Sequence, residues 1–325
     1  MRTWITFVSF LFIASVSATV NEPFRWDFFS GYRNDRLHWH MQHGGSGTLL
    51  YSELYRDLSF WENGLAVQTI SHDLVFFLYG SYGAFGSGNL KQRYADLFFT
   101  LENPQFYFSP EGWAADTFGY FGYAVNLTTD RTYKVLLIPL FGFSGHFERL
   151  ARGNGTPSPL ESTDAIGASS YAMTSSLPNH LHSTWYGFFL GANFQIEPGG
   201  SLNFKGGYSY HWLNVRLRTD YEAEVSLLNP ALFSEQQTDS SFYAKGDTNG
   251  GQTGWAQMDY LISKAWRAGI GARMRYYSSN LIETSVKQTI TSIVPSGALS
   301  SSSAPQKIKI RWVSVSGWLM ISRDF

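Results

Sequence analysis

The sequence predicts an all-β protein, a transmembrane, antiparallel, up-and-down β-barrel of about ten strands. Three observations support this fold class. The chain is 17% aromatic and only 15% charged, against about 25% charged residues in typical soluble domains. Apolar residues alternate with polar ones in many segments, which is typical of strands with one face in lipid. The last such segment ends on an aromatic residue, Phe325.

The first 18 residues have the features of a secretory signal peptide. Arg2 is a basic start, residues 4–13 form an apolar run, and Val16-Ser17-Ala18 fits a small-residue cleavage site. The run is too short for a membrane helix, which needs about 20 apolar residues. We therefore expect cleavage after Ala18, which leaves residues 19–325 as an outer-membrane β-barrel.

Period-two alternation is clear in three internal segments. Residues 185–196, 201–212 and 265–276 each place aromatic and aliphatic side chains on one face and polar ones on the other. A soluble sandwich also alternates, because one face of its sheets is wet. Bulky aromatic residues near the strand ends favour the membrane. The side chains predicted to face lipid are Tyr186, Phe188, Leu190, Phe204, Tyr208, Ile270, Ala272, Leu319 and Ile321.

The carboxy-terminal segment, Lys307 to Phe325, alternates in the same way. An aromatic last residue on such a strand resembles the recognition signal of bacterial outer-membrane barrels. Arg323 departs from that pattern, which usually has an aromatic or apolar residue there. The resemblance implies a location in the bacterial outer membrane.

Ten strand-like segments can be counted, and their connections alternate between short and long. An even number places both termini on the periplasmic side, with short periplasmic turns and long outer loops. The short turns are Ser71-His72-Asp73, Thr129-Asp130-Arg131, Pro198-Gly199-Gly200 and Ser263-Lys264. The predicted strands are 24–42, 48–71, 72–86, 113–128, 132–150, 182–197, 200–222, 252–263, 265–286 and 307–325. The predicted outer loops are 87–112, 151–181, 223–251 and 287–306.

Several predicted strands exceed the 9–11 residues that cross a bilayer. We therefore expect the barrel wall to project above the outer surface. In the first strand the alternation changes phase between Tyr32 and Leu37. A β-bulge, or emergence of the strand from lipid, would explain this change.

Charged residues on the polar series of the strands predict the character of the lumen. These lumen-facing candidates are His146, Glu148, Lys205, His211, Asp259, Arg267, Arg273 and Arg275. They either line a narrow, porin-like channel for small hydrophilic solutes, or form a plug of ion pairs in a closed barrel that acts through its outer loops. A ten-stranded barrel lies between the filled eight-stranded and the open sixteen-stranded sizes. We favour the channel, with Asp259 as the nearest carboxylate by sequence for the three arginines.

Other functional classes have little support in the sequence. The net charge of −1 gives no electrostatic basis for binding nucleic acid, and cysteine is absent. His38, His40 and His43 cluster near a Gly-rich tip, where we expect them to be solvated rather than to bind metal. No phosphate loop, nucleophile elbow or dinucleotide fingerprint occurs, so we expect no enzyme, cofactor or metal. The partners we expect are outer-membrane lipid and solutes; no feature specifies an oligomeric state.

Two stretches are similar to the Protochlamydia-type outer-membrane protein family. The first runs from Gly31 to Glu62 and contains GYRNDRLHWHMQ and YSELYRDLSFWE; the second is YHWLNVRLRTD, Tyr210 to Asp220. Within it, the positions that match the family's later motif are Trp212, Asn214, Leu217, Arg218 and Asp220. The resemblance implies a ten-stranded outer-membrane barrel, and some relatives are described as porins.

The layout also resembles that of omptins, ten-stranded outer-membrane proteases that use paired carboxylates and an Asp-His pair. In this sequence Lys91 and Arg93 stand where the paired carboxylates would be. No histidine follows Asp220, where Tyr221-Glu222-Ala223 is found. Protonated cations cannot accept a proton from an attacking water. We therefore expect no omptin-like protease activity.

Overall fold

The computed structural model describes residues 24–42, 49–94, 105–108, 110–128, 133–152, 180–225, 236–291 and 307–325. The predicted signal peptide, residues 1–18, lies outside these ranges, within which no helix is long and apolar enough to cross a membrane. The strands are β1 (Phe24–Gln42), β2 (Leu49–Ser71), β3 (Leu74–Tyr94), β4 (Gln105–Phe108), β5 (Pro110–Tyr123), β6 (Val125–Asn126), β7 (Lys134–Arg152), β8 (His180–Glu197), β9 (Leu202–Val225), β10 (Gln236–Leu261), β11 (Trp266–Thr291) and β12 (Lys307–Asp324).

The sheet closes on itself because the first strand pairs with the last. The β1–β12 register runs from Arg25 opposite Asp324 to Gln42 opposite Lys307, and the amide of Phe325 donates to the carbonyl of Phe24 at 2.9 Å. β4 and β5 both pair with β3 and act as one barrel strand, and the two-residue β6 continues the pairing with β7. The described chain is thus a closed antiparallel barrel of ten strands, which confirms the predicted fold class.

Tight turns connect the strands at the rim of the barrel where β1 begins and β12 ends. His72 and Asp73 have φ values of 48° and 67°, as the two central residues of a type I′ hairpin require. Gly199 has a φ of 71° in the second turn. In the third, the amide of Ile262 donates to the carbonyl of Trp266 at 2.9 Å. The turn predicted at 129–131 lies outside the described residues.

Strand pairing on the opposite side continues further than the sequence predicts. β3 reaches Tyr94, β9 reaches Val225, β11 reaches Thr291, and β10 begins at Gln236. Beyond the lipid both faces of a strand can be polar, so the backbone ladder persists after the apolar alternation has ended. The predicted loops 87–112, 151–181, 223–251 and 287–306 therefore include, at their ends, residues that belong to strands.

The change of phase in the apolar pattern of β1 does not come from a bulge in that strand. Its odd-numbered residues are buried without interruption from Arg25 to Trp39. The bulge lies in β2 instead, where the register shifts between Asp35 and Leu37 of β1 and Asp57 has a φ of 55°. What reverses along β1 is polarity: beyond Tyr32 the outward side chains are polar, and from Leu37 onward the inward ones are apolar. Emergence from lipid explains this reversal, because the outer face then meets water.

A continuous apolar belt surrounds the half of the barrel nearest the tight turns. The side chains of this belt are exposed, with Leu319 at 69% and Phe121 at 67%. All nine side chains predicted to face lipid lie on this outward face. Aromatic residues that mark its upper edge are Tyr32, Trp61, Tyr82, Trp212 and Tyr276. This belt is the surface expected of an outer-membrane barrel.

Candidate functional site in the barrel interior

Asp116 is the centre of a buried ion-pair network at the level of the upper edge of the belt. Its carboxylate accepts from Arg33 Nη1 at 2.9 Å, from Arg275 Nη1 at 2.7 Å and from His146 Nδ1 at 2.8 Å. The side chain of Asp116 is 2% exposed. A charge this deeply buried is tolerated only when it is paired and hydrogen-bonded, so Asp116 ties β1, β5, β7 and β11 together.

Arg33 is the most enclosed cation of this network. It donates to both carboxylate oxygens of Asp35, and neither side chain has any exposed surface. Its guanidinium carbon lies 5.4 Å from the ring centroids of Phe60 and of Trp312. A guanidinium suits this place because it can pair with carboxylates in its plane and stack on rings with its faces.

Glu62 on β2 anchors the other side of the network. It accepts from Arg273 Nη2 at 3.2 Å, from the Tyr79 hydroxyl at 2.9 Å and from Ser81 Oγ at 2.5 Å. Arg273 also donates to the Tyr79 hydroxyl oxygen at 2.9 Å. We name the group Arg33, Asp35, Glu62, Asp116, His146, Arg273 and Arg275 the central cluster.

A second network, the periplasmic cluster, lies near the tight turns and is centred on Asp259. Its carboxylate pairs with Lys205 Nζ and with Arg25 Nη2, each at 3.2 Å, and accepts from Gln257 at 2.7 Å. Arg25 also pairs with Asp27 at 2.5 Å. In these two clusters, most of the inward-facing charged side chains in the half of the barrel nearest the tight turns form ion pairs.

An apolar plug fills the lumen above the central cluster. Nine of the ten barrel strands contribute to it, and several of its side chains, including Trp39, Trp185 and Trp312, have no exposed surface. The plug is the hydrophobic cluster with the most members among the described residues, and removing its apolar surface from water stabilises the barrel. The plug residues are Leu37, Trp39, Tyr55, Leu58, Phe60, Leu90, Ala114, Leu150, Leu181, Trp185, Leu213, Val215, Leu217, Tyr277, Leu281, Ile308, Ile310 and Trp312.

The structure places the sequence-predicted residues in different parts of the interior. Arg273 and Arg275 belong to the central cluster, and Lys205 and Asp259 to the periplasmic one. His211 contacts Ser144 and Ser209 at 3.0 and 2.8 Å. Arg267 lies at the periplasmic rim, where it pairs with Asp324 at 2.9 Å. The expected pairing of these arginines with Asp259 is wrong, because Arg25 and Lys205 reach that carboxylate from β1 and β9.

Glu148 has the least satisfied environment of the predicted residues. Its side chain is fully buried, 3.9 Å from His146 Nε2. Within the described chain neither carboxylate oxygen has a hydrogen-bond partner, nor do His146 Nε2 and Trp312 Nε1. The ring of His146 stacks on that of Trp312 with centroids 4.2 Å apart. Glu148 thus lies where the central cluster meets the plug.

The sequence analysis identified Glu148 and Asp259 but missed the interior carboxylates Asp27, Asp35, Glu62 and Asp116 and the two arginines of β1. Arg25 and Asp27, and again Arg33 and Asp35, are spaced two apart and therefore share one face of β1. That spacing was the available signal, but the apparent change of phase in β1 hid it. Asp116 gave no signal, because inward-facing Phe118 and Tyr120 make the two faces of β5 look alike.

The histidines near the outer tips lie on the outside of the barrel. The rings of His38 and His40 are 5.4 Å apart, and those of His180 and His182 are 6.2 Å apart. His43 lies outside the described residues. Over the part of the chain that the structure covers, no group of three or more potential ligands could hold a metal ion.

One cavity, of about 130 Å³, lies inside the belt region below the plug. Polar side chains such as Gln195, Lys205, Thr253 and Arg273 line it together with Phe118, Tyr120 and other aromatic residues. This volume is enough for several water molecules or one small solute. Trp185, Leu213 and Tyr277 of the plug also border it.

Comparison with known proteins agrees with this geometry. The barrel is similar to the outer membrane protease OmpT from Escherichia coli, with a TM-score of 0.63, 9% identity, and coverage of 95% of this chain and 99% of that one. For the outer membrane protein OprG from Pseudomonas aeruginosa the TM-score is 0.34 and the identity 8%, with coverage of 93% of this chain and 95% of that one. This similarity is too low to bear on the fold. No curated protein matches the sequence. The family model described as Protochlamydia outer membrane protein matches residues 27–325. The chain is therefore an outer-membrane β-barrel protein and belongs to the Protochlamydia outer membrane protein family.

Proposed function

We propose that this protein is a closed barrel, whose lumen does not conduct solutes and whose outer end serves as a rigid platform above the membrane. The apolar plug carries this proposal. It spans the lumen with side chains from nine barrel strands, and hydrophobic constrictions of this kind exclude water and ions. An ion moving along the axis would have to displace Trp39, Trp185 and Trp312, each without exposed surface.

The ion pairs below the plug support the same proposal. A channel uses inward charges to attract ions, and those charges must then be available to the ion. Here Arg275 is bound to Asp116, Arg273 to Glu62, and Lys205 to Asp259. The first two contacts join strands that are far apart in sequence, β11 with β5 and β11 with β2, and the third joins the neighbouring strands β9 and β10.

The platform consists of the strand segments beyond the apolar belt. Their outward faces are polar, as at Arg36, Arg216 and Arg311, and their inward faces pack in the plug. A packed interior holds these segments in fixed positions. Binding through the outer rim and loops then needs no movement of the wall.

A narrow channel remains the second candidate, and the cavity of about 130 Å³ favours it. Its polar lining, with Lys205 and Arg273, could accept a small hydrophilic solute. A rearrangement of Trp185 and Tyr277, which border both cavity and plug, would then have to open the outer side.

The proposal includes no catalytic activity. The side chain of Asp220 lies outside the described ones, and Lys91 on β3 stands where an omptin-like site would need a carboxylate. A positively charged amine in that place does not activate water.

Solute efflux from proteoliposomes tests the proposal. Vesicles loaded with radiolabelled glucose should retain it equally with and without the folded wild-type protein. The double variant Trp185→Ala and Trp312→Ala, which removes two indoles from the plug, should release it if it still folds. Release by the wild-type protein above the rate of protein-free vesicles would contradict a closed lumen.

A further inference from the structure

A group of cations lies on the outer wall just above the apolar belt, on β12, β1 and β2. We name Arg36, Arg56, Lys307, Lys309 and Arg311 the basic patch; all five side chains are exposed. Lys307, Lys309 and Arg311 are spaced two residues apart, about 7 Å between neighbours. They point outward because the alternating Ile308, Ile310 and Trp312 are buried in the plug.

The register of the strands brings these cations together. Arg311 lies opposite His38, the next outward residue after Arg36 on β1, and Lys309 lies opposite His40. Arg56 lies at the bulge of β2, beside Arg36. On the outward faces of these three strands above the belt, the described side chains include one acidic residue, Asp57.

Such a grouping is unfavourable without a ligand of opposite charge. Like charges that face each other on neighbouring strands, as Arg36 and Arg56 do at the bulge, destabilise a sheet, and a single carboxylate cannot balance five cations. Arginine and lysine side chains at this spacing match phosphate oxygens, which accept several charge-assisted hydrogen bonds. The chemistry of the patch therefore selects a phosphorylated anion.

The height of the patch shows where that anion would come from. Aromatic side chains such as Tyr32 mark the interface between the lipid tails and the headgroups. Arg36 is four residues beyond Tyr32 on the outward face, about 13 Å along the strand, and Arg311 is two residues beyond Val313, about 7 Å. These distances place Arg36 and Arg311 at the level of the headgroups of the outer leaflet, with Lys309 and Lys307 further from the belt on the same face of β12.

We propose that the basic patch binds the phosphate groups of a phosphorylated glycolipid in the outer leaflet of the membrane. The bound lipid neutralises the cations and fixes the height and rotation of the barrel in the membrane. This inference is independent of whether the lumen is closed, because the patch lies on the outside of the wall.

The test uses full-length folded protein in zwitterionic micelles and a fluorescent lipid A with two phosphates as the probe. Fluorescence anisotropy gives the affinity. The variant Lys309→Gln and Arg311→Gln removes two cations of the patch, and Lys134→Gln and Lys264→Gln removes two exposed lysines near the periplasmic end as a matched control. Each cation near an anionic surface contributes about a five-fold factor in affinity.

We expect the patch variant to bind the probe about 20-fold more weakly and the control variant to bind within two-fold of wild type. A dephosphorylated lipid A should bind wild type and patch variant equally, and millimolar inorganic phosphate should not displace the probe. Equal affinity of wild type and patch variant, an equal loss in the control, or displacement by free phosphate would each overturn the proposal.

Discussion

Replacing Asp116 with asparagine tests whether the central cluster holds the barrel together. The substitution keeps the size of the side chain but removes its charge. Arg275 then loses the carboxylate to which it is bound at 2.7 Å, and Arg33 keeps only Asp35. His146 loses an acceptor at 2.8 Å. Both cations would remain in a nearly buried site with one carboxylate fewer.

The structure sets the expected size of the effect. Asp116 is 2% exposed and Arg275 is 7% exposed, so bulk water does not reach the pair, and only the small cavity beside it could supply solvation. Breaking a buried ion pair from one side costs about 3–5 kcal/mol. The matched control is Asp324→Asn at the periplasmic rim, whose pair with Arg267 has side chains 28% and 21% exposed. Exposed pairs of that kind contribute less than about 1 kcal/mol.

Urea titration in lipid vesicles measures the free energy of unfolding, with the folded fraction read from tryptophan fluorescence and from gel mobility without heating. The double variant Asp116→Asn and Arg275→Gln should lose less stability than the sum of the two single variants, because it removes the unpaired cation together with its partner. An Asp116→Asn protein within 1 kcal/mol of wild type, or no more affected than Asp324→Asn, would refute the argument.

Two further predictions follow from the wall of the barrel. Leu190 is 50% exposed within the apolar belt, so a cysteine at this position should not react with a charged thiol reagent in vesicles. A cysteine at Arg216, which points outward above the belt, should react. The reverse pattern would overturn the topology. A β-carbon at Gly31 would lie 2.6 Å from the Cα of Trp318, so Gly31→Ala should destabilise the barrel by about 1–3 kcal/mol, as urea titration would show. Gly254→Ala, with no atom within 4 Å of the new carbon, is the control, and equal stability of the two variants would count against the packing described.

The sequence predicts the membrane half of this fold well, for a physical reason. Strand faces in lipid must be apolar while the inner faces are polar, so residues such as Phe188 and Leu190 on β8 alternate with glycine and asparagine. The tight turns are equally visible, because His72-Asp73 and Gly199 supply the positive φ values that the hairpins need. Both features depend only on residues that are close together in the sequence.

The plug and the central cluster could not be predicted, because they depend on contacts across the lumen. Leu37 and Trp39 look like lipid-facing residues in sequence, yet they are buried inside the barrel above the membrane. Asp116 meets Arg275 only because β5 and β11 face each other across the closed barrel. The alternation within one strand shows which residues share a face. It does not show whether that face points into the barrel or toward the lipid.

Single-channel recording in planar bilayers tests the closed lumen most directly. Wild-type protein and the variant Arg273→Gln and Arg275→Gln are inserted at matched density, and reversal potentials are measured in a salt gradient. The plug predicts no conductance steps from either protein. Reproducible steps from the wild type, with an anion preference that falls in the variant, would contradict the closed barrel and establish instead the narrow, anion-selective pore.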